Sequence, residues 1–324
     1  MHTISDYQGY FLEYLSRNTI QKEPKNLYEP ISYILNLGGK RLRPTLVLMT
    51  SEIFGGSYQK ALDAALAIEV FHNFSLIHDD IMDDAPLRRG KETVHEKWDI
   101  NTGILSGDAM LINAYQLFEN YNGDTFKELA KLFTKTAIEV CEGQQYDIDF
   151  ETRDDVTIPE YLKMIEYKTA VLVAAAMQMG AIIANASETC KSAIYDFGRL
   201  LGLAFQLQDD YLDAFGDPAT FGKQVGGDII ENKKTFLYLK AIEDADSSVK
   251  RQLEGLFSLN PENPSEKIQA VKGIFETTGA KEKTRLEIEK YTNKAFEVLD
   301  DLSISEDKKK ILQAFGEQLM NRSV

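Results

Sequence analysis

A chain of 324 residues with 44% hydrophobic and 27% charged side chains has the balance of a globular protein. No Pro-, Ser- or Gly-rich stretch reads as a tether, so a single domain over residues 1–324 is expected despite the length. The formal charge of −15, from 36 basic and 51 acidic side chains, excludes nucleic acid and anionic membranes as partners unless positive charge is concentrated locally.

The N-terminal stretch Met1 to Leu15 mixes polar and acidic residues and lacks the apolar run of a leader. Cys141 and Cys190 stand far apart without metal-ligand spacing, as buried thiols in a reducing compartment do. Both features suit a cytoplasmic protein. Gly38 and Gly39 precede a basic run that ends at Pro44, where a helix is expected to open. After a loop at Gly55 to Tyr58, the segment Leu62 to Asp84 carries Leu66, Val70, Phe74, Ile77 and Ile81 at three- and four-residue steps, the spacing of a helix. A second loop is expected at Ala85 to Gly90.

Thr169 to Ala186 is uncharged, close to the length of a membrane span. Its alanines, Gln178 and Gly180 make it only mildly apolar, so it reads as a buried central helix. Ser192 to Phe215 has helical spacing too, although Gly198 and Gly202 weaken its propensity. Glu282 to Leu302 and Glu306 to Met320 read as amphipathic helices, with loops at Gly216 to Gly227 and Asn260 to Pro264. Sustained alternation of period two is missing. An all-α fold of roughly a dozen helices follows.

One short pattern occurs twice. Asp79-Asp80-Ile81-Met82-Asp83 and Asp209-Asp210-Tyr211-Leu212-Asp213 both have the form D-D-x-x-D. Residues four apart on a helix lie on one face about 5–6 Å apart, so Asp79 converges with Asp83 and Asp209 with Asp213. Like charges so placed repel, and more strongly as water is removed. A divalent cation reverses that sign, and Mg²⁺ favours one or two carboxylates with phosphate oxygens completing its shell.

A diphosphate held on such metals needs cations opposite. Lys40, Arg41 and Arg43 follow the Gly38-Gly39 pair, whose glycines are expected to let the backbone approach a phosphate. Arg88 and Arg89 follow the first acidic cluster, and Lys168, Lys223, Lys233 and Lys234 supply further charge. His72 lies seven residues, two turns, before Asp79 and can face the same cavity, whereas His78 and His95 read as structural.

With these pieces in order, the chain resembles the trans-isoprenyl diphosphate synthase (polyprenyl synthetase) family over nearly its whole length. The matching motifs are GGKRLRP at 38–44, HNFSLIHDDIMDDAPLRRG at 72–90, GQQYDI at 143–148, YKT at 167–169, FQLQDDYLD at 205–213 and GGDIIENKKTF at 226–236. The resemblance implies an isoprenoid synthase fold, helices around a central cavity. It also implies Mg²⁺ at three ions per substrate-loaded site, held by Asp79, Asp83 and Asp209 with Asp80, Asp210 and Asp213 in support. By the same resemblance Lys40, Arg43, His72 and Arg89 bind isopentenyl diphosphate. Arg88, Lys168, Thr169, Gln206, Lys223 and Lys233 contact the allylic diphosphate, with Gln144 and Asp147 as polar groups near the reacting centre.

The implied reaction is 1'-4 head-to-tail condensation of isopentenyl diphosphate with dimethylallyl, geranyl or farnesyl diphosphate, by a homodimer. Ionisation of the allylic substrate is assisted by metal and basic side chains, and placement supplies much of the rest. If the growing chain runs along the helix away from Asp79, then Ser75, Phe74 and Phe71 line its path and Phe74 forms an aromatic floor. That combination, with no insertion in the first acidic motif, resembles short-chain farnesyl and geranylgeranyl synthases, giving a C20 or C15 product. A terpene cyclase would carry a different second metal motif and need no GGKRLRP. A non-catalytic subunit of a heteromeric synthase would lack one acidic motif.

Overall fold

Helix starts are set locally. Thr3 accepts a hydrogen bond from the Asp6 amide while the Asp6 carboxylate takes the Thr3 amide, and Thr157 with Glu160 repeats this reciprocal box. The computed structural model describes residues 1–18, 22–217 and 225–320, and these are overwhelmingly helical. Helices α1 (Ile4–Arg17), α2 (Lys25–Asn36), α3 (Leu42–Ile53) and α4 (Tyr58–Met82) are followed by a hairpin of β1 (Leu87–Arg88) and β2 (Lys91–Glu92). Next come α5 (Val94–Lys97), α6 (Ile100–Phe118), α7 (Gly123–Thr152) and α8 (Ile158–Ile165). A π-turn (Glu166–Ala170) leads into α9 (Val171–Ile183), then α10 (Glu188–Phe215) and α11 (Gly227–Ile230). The chain ends with α12 (Phe236–Asp244), α13 (Ser247–Leu256), α14 (Ser265–Thr277), α15 (Ala280–Asp300) and α16 (Glu306–Met320).

The all-α expectation holds, with differences at boundaries. Helix α3 opens at Leu42, so Pro44 sits in its first turn, where a missing N–H leaves no intrahelical bond unmade. The expected loop at 85–90 contains β1, which pairs antiparallel with β2 through Leu87 opposite Glu92 and Arg88 opposite Lys91. Two-residue strands are too short for alternation to be legible in sequence. Most of the uncharged 169–186 stretch forms α9, largely buried, and no described helix is long and apolar enough to cross a membrane.

The chain divides into two compact units, Met1–Thr136 with Ala175–Tyr195 and Ala137–Ala174 with Asp196–Val324. In the first, α4 packs on α3 and α6 and is apolar nearly all round, as a central helix must be. Its Phe71 sits in an aromatic cluster, with ring centroids 5.4 Å from Phe74 and 5.1 Å from Phe133. Gly180 allows close packing on α3, since a Cβ there would lie 2.5 Å from the Val47 carbonyl oxygen. The core of the second unit is built from Phe236, Leu253, Val271 and Phe275 together with Leu203, Leu207 and Tyr161.

Arg41 is buried in the first unit, 5% exposed, and pairs with Glu69 on α4, itself 2% exposed. The guanidinium also donates to the Leu35 carbonyl, and Asn73 Nδ2 donates to Glu69 Oε1 at 3.1 Å. This arginine of the basic run is therefore a structural cation, turned inward. Removing one partner of a buried pair strands the other charge, which costs more than the pair contributes. Glu69→Ala should accordingly lower the unfolding free energy by about 3–5 kcal/mol in urea titration, and an unchanged midpoint would overturn this role.

Candidate active site

The first acidic cluster ends α4. Asp79 and Asp80 lie in its last turn, and the Asp83 amide donates to the Asp79 carbonyl at 2.9 Å, so helical geometry persists across the cluster. The hairpin then carries Arg88 back onto it. Arg88 Nε donates to both Asp80 carboxylate oxygens at 2.7 and 2.9 Å, and its Nη2 lies 3.4 Å from Asp79 Oδ2. Burial raises the Asp80 pKa, against the opposing pull of this arginine. Arg88, expected at the allylic diphosphate, here clamps the carboxylates.

Beside this cluster, in the same unit, stands the set expected to hold isopentenyl diphosphate. Arg43 Nη1 lies 3.2 Å from His72 Nε2. Since arginine only donates, His72 accepts there and carries its proton on Nδ1. Desolvation, then the charges of Arg43 and Arg89, hold the His72 pKa well below the usual histidine value, so the ring is neutral at pH 7. Arg89 donates to the Gly38 carbonyl. Gly39 has φ +114° and a Cβ there would lie 2.7 Å from Arg89 Cζ, so this glycine makes room for a guanidinium. Lys40 is exposed, and its carbonyl accepts from Gln8 Nε2 at 2.9 Å.

In the second unit a cavity of about 140 Å³ is lined by Asp147, Tyr161, Lys168, Thr169, Gln206, Asp210, Asp228 and Lys233, among others. Lys168 Nζ reaches Asp147 Oδ2 at 2.6 Å, and Thr169 Oγ1 donates to Gln206 Oε1 at 3.1 Å. Gln206 Nε2 donates to Asp210 Oδ1 at 3.0 Å, and the Tyr161 hydroxyl donates to the other Asp210 oxygen. Lys233 pairs with Glu231 at 2.8 Å, which raises its pKa although burial opposes the shift. Asp209 is half-buried on α10. Asp213 accepts the Asp228 amide at 3.0 Å and so ties α10 to the start of α11. Gln144 Nε2 is buried and has no hydrogen-bond partner among the described residues. Lys223 lies outside the described residues.

Two members of this cavity escaped sequence reasoning. Tyr161 belongs to none of the motifs and is joined to Asp210 only by the fold. Asp228 stands inside GGDIIENKKTF, and the adjacent glycine pair was its one available signal. Desolvation, then the Asp210 and Asp213 charges, raises the Asp228 pKa well above the carboxylate range. Asp210 is raised likewise by burial, outweighing the Tyr161 and Gln206 hydrogen bonds.

A π-turn places Lys168 and Thr169 in the cavity lining. The extra residue bulges toward two neighbouring helices, and both answer with glycine. A Cβ on Gly143 would lie 2.3 Å from the Lys168 amide nitrogen, and one on Gly202 would lie 2.7 Å from Ala170 Cα. The propensity lost at Gly202 is thus the condition for that contact.

Of the residues expected along the chain path, Ser75 is half-buried and donates to the His72 carbonyl at 2.8 Å. Phe74 is 7% exposed, its ring edge-on to His78 at 4.8 Å, and Phe71 is fully buried behind it.

The donor sets suit Mg²⁺. Each cluster offers hard carboxylate oxygens, and the raised Asp210 and Asp228 carboxyls mark a surplus of negative charge that a dication would relieve. Within the first unit Asp79 and Asp83 would offer such oxygens to a dication, and within the second Asp209 would.

Comparison with known proteins agrees with this chemistry. A family model described as polyprenyl synthetase matches residues 24–274. A short chain isoprenyl diphosphate synthase of Methanothermobacter thermautotrophicus is 41% identical over 260 residues, 80% of this chain and 79% of that one. A crystal structure of geranylgeranyl pyrophosphate synthase is 57% identical with TM-score 0.96, covering 100% of both chains. The geranylgeranyl pyrophosphate synthetase of Pyrococcus horikoshii is 33% identical with TM-score 0.92, covering 99% of this chain and 97% of that one.

The glycine contacts yield a direct expectation. Gly143→Ala forces a methyl group into backbone that cannot rotate away, so stability should fall by about 1–3 kcal/mol in denaturant titration. A variant that unfolds like the parent would mean that the π-turn does not lie against this helix.

Proposed function

The chain belongs to the polyprenyl synthetase family, and on that premise we propose that it joins isopentenyl diphosphate to an allylic diphosphate in a Mg²⁺-dependent 1'-4 condensation, with geranylgeranyl diphosphate as product. One observation carries the reading: each unit sets a D-D-x-x-D cluster on an apolar helix against its own cations, Arg88 in one, Lys168 and Lys233 in the other. Carboxylates that bind Mg²⁺ and cations that bind phosphate are the two components that diphosphate chemistry needs.

In this reading Lys40, Arg43, His72 and Arg89 hold isopentenyl diphosphate. Neutral His72 accepts from Arg43 and leaves the rest of that guanidinium to face an anion. Lys168, Thr169, Gln206 and Lys233 hold the allylic diphosphate, with Asp147 orienting Lys168. Mg²⁺, when bound, supplies neutralisation of the diphosphate charge. The allylic C–O bond breaks with its electron pair leaving on diphosphate, and Lys168 and Lys233 stabilise that charge. The isopentenyl double bond then forms the new C–C bond to the allylic carbon. The proton lost as the new double bond forms passes to released diphosphate, so no dedicated side-chain base is required. Phe74, backed by Phe71, limits chain length past Ser75; the 57% identity to a geranylgeranyl pyrophosphate synthase supports C20. A homodimer is the assembly we propose.

Purified protein with Mg²⁺, isopentenyl diphosphate and each of the three allylic primers should yield a C20 prenol on extraction and chromatography; failure to elongate any primer would refute the reading. Asp79→Ala should lower turnover roughly 100- to 1,000-fold with an unchanged circular-dichroism melt, and full activity at saturating Mg²⁺ would remove Asp79 from the metal site. Phe74→Ala should shift the product beyond C20, and an unchanged length would reject Phe74 as the floor.

A further inference from the structure

Lys267 lies in the first turn of α14 and is only 4% exposed. Three ordinary preferences oppose it there. Burial disfavours an ammonium and lowers its pKa, a helix N-terminus disfavours a cation, and no carboxylate among the described residues offsets either effect. What offsets these costs is a set of neutral oxygens. Lys267 Nζ donates to Asn232 Oδ1 at 2.5 Å, to the Leu259 carbonyl at 2.9 Å and to the Ile230 carbonyl at 3.4 Å.

Two of those acceptors belong to the turn that precedes Lys233. Asn232 has φ +60°, the left-handed region that asparagine enters more readily than most residues, and its Nδ2 also donates to Asn260 Oδ1 at 2.8 Å. The Lys233 amide then returns to the Asp228 carbonyl at 2.9 Å. The next residue of α14, Ile268, packs on Gly226, where a Cβ would lie 3.0 Å from its side chain. Adjacent residues of α14 thus grip both ends of the segment that presents Asp228 and Lys233 to the cavity.

We propose that Lys267 is a positioning residue for the anion-binding turn: its ammonium fixes the 230–232 backbone and thereby the direction in which Lys233 projects. The inference rests on the assignment of Lys233 to the allylic diphosphate. Loss of the ammonium leaves Lys233 present but misdirected, so binding of one substrate suffers while the other is untouched.

The test compares Lys267→Met, Lys233→Ala and the double variant by steady-state kinetics with each substrate varied, alongside thermal melts. Lys267→Met should raise KM for the allylic diphosphate roughly tenfold and lower kcat, because Lys233 also meets the charge that develops on that diphosphate, with the isopentenyl diphosphate KM within about twofold of the parent. Lys233→Ala should raise the same KM at least as far, and the double variant should match Lys233→Ala because both act through one contact. Should Lys233→Ala leave that KM unchanged, the diphosphate assignment itself fails. If it raises KM while Lys267→Met does not, or if the two effects multiply, the positioning role fails. Should Lys267→Met not fold, Asn232→Gly removes the closest acceptor and tolerates the left-handed backbone; its allylic KM should also rise, and a parental value would overturn the proposal.

Discussion

Carboxylates four residues apart on an apolar helix repel one another, and the repulsion grows as water is withdrawn. Much of the architecture answers that constraint, and the two units answer it differently. In the first, a cation does so: the hairpin exists to return Arg88 to the end of α4, where it clamps Asp80 and approaches Asp79. In the second, neutral donors do so. Asp210 takes hydrogen bonds from Tyr161 and Gln206, and its nearest negative neighbours stay close enough to raise its pKa. Burial nonetheless raises the pKa of the innermost carboxyl in both clusters, Asp80 in the first and Asp210 in the second.

The Gly38–Pro44 segment divides its labour in a comparable way. Arg41 turns inward to Glu69 and anchors the segment to α4, while Arg43 meets His72. Two residues on in sequence, the same side-chain chemistry serves the core in one instance and the site in the other. The left-handed backbone at Arg41, φ 47°, directly before α3, is where the two directions separate.

The long helices and both acidic clusters were legible in the sequence because each is a periodic signal, and periodicity survives without knowledge of tertiary contacts. What was not legible depended on neighbours distant along the chain. Three basic residues in GGKRLRP look alike in sequence, and only Glu69, 28 positions beyond Arg41, separates the buried one from the others. Gly39 signalled a close approach, and the side chain it accommodates is that of Arg89, because a glycine states that space is needed without naming the occupant. Tyr161 lies 49 residues from Asp210 and outside every motif. The hairpin strands are too short to alternate.

Between α8 and α9 the π-turn does more than carry Lys168 and Thr169. An α-helix advances about 100° per residue, so one additional residue in a turn rotates everything beyond it relative to everything before it. Tyr161, Met164 and Ile165 ahead of the turn and the buried Val171 to Ala174 behind it, all in the second unit, are thereby held at phases that an uninterrupted helix could not give them together. Removal of a single residue from 166–170 would restore an ordinary helix at the cost of that phase. The segment is therefore far less tolerant of deletion than of substitution, and its length carries information that its composition does not.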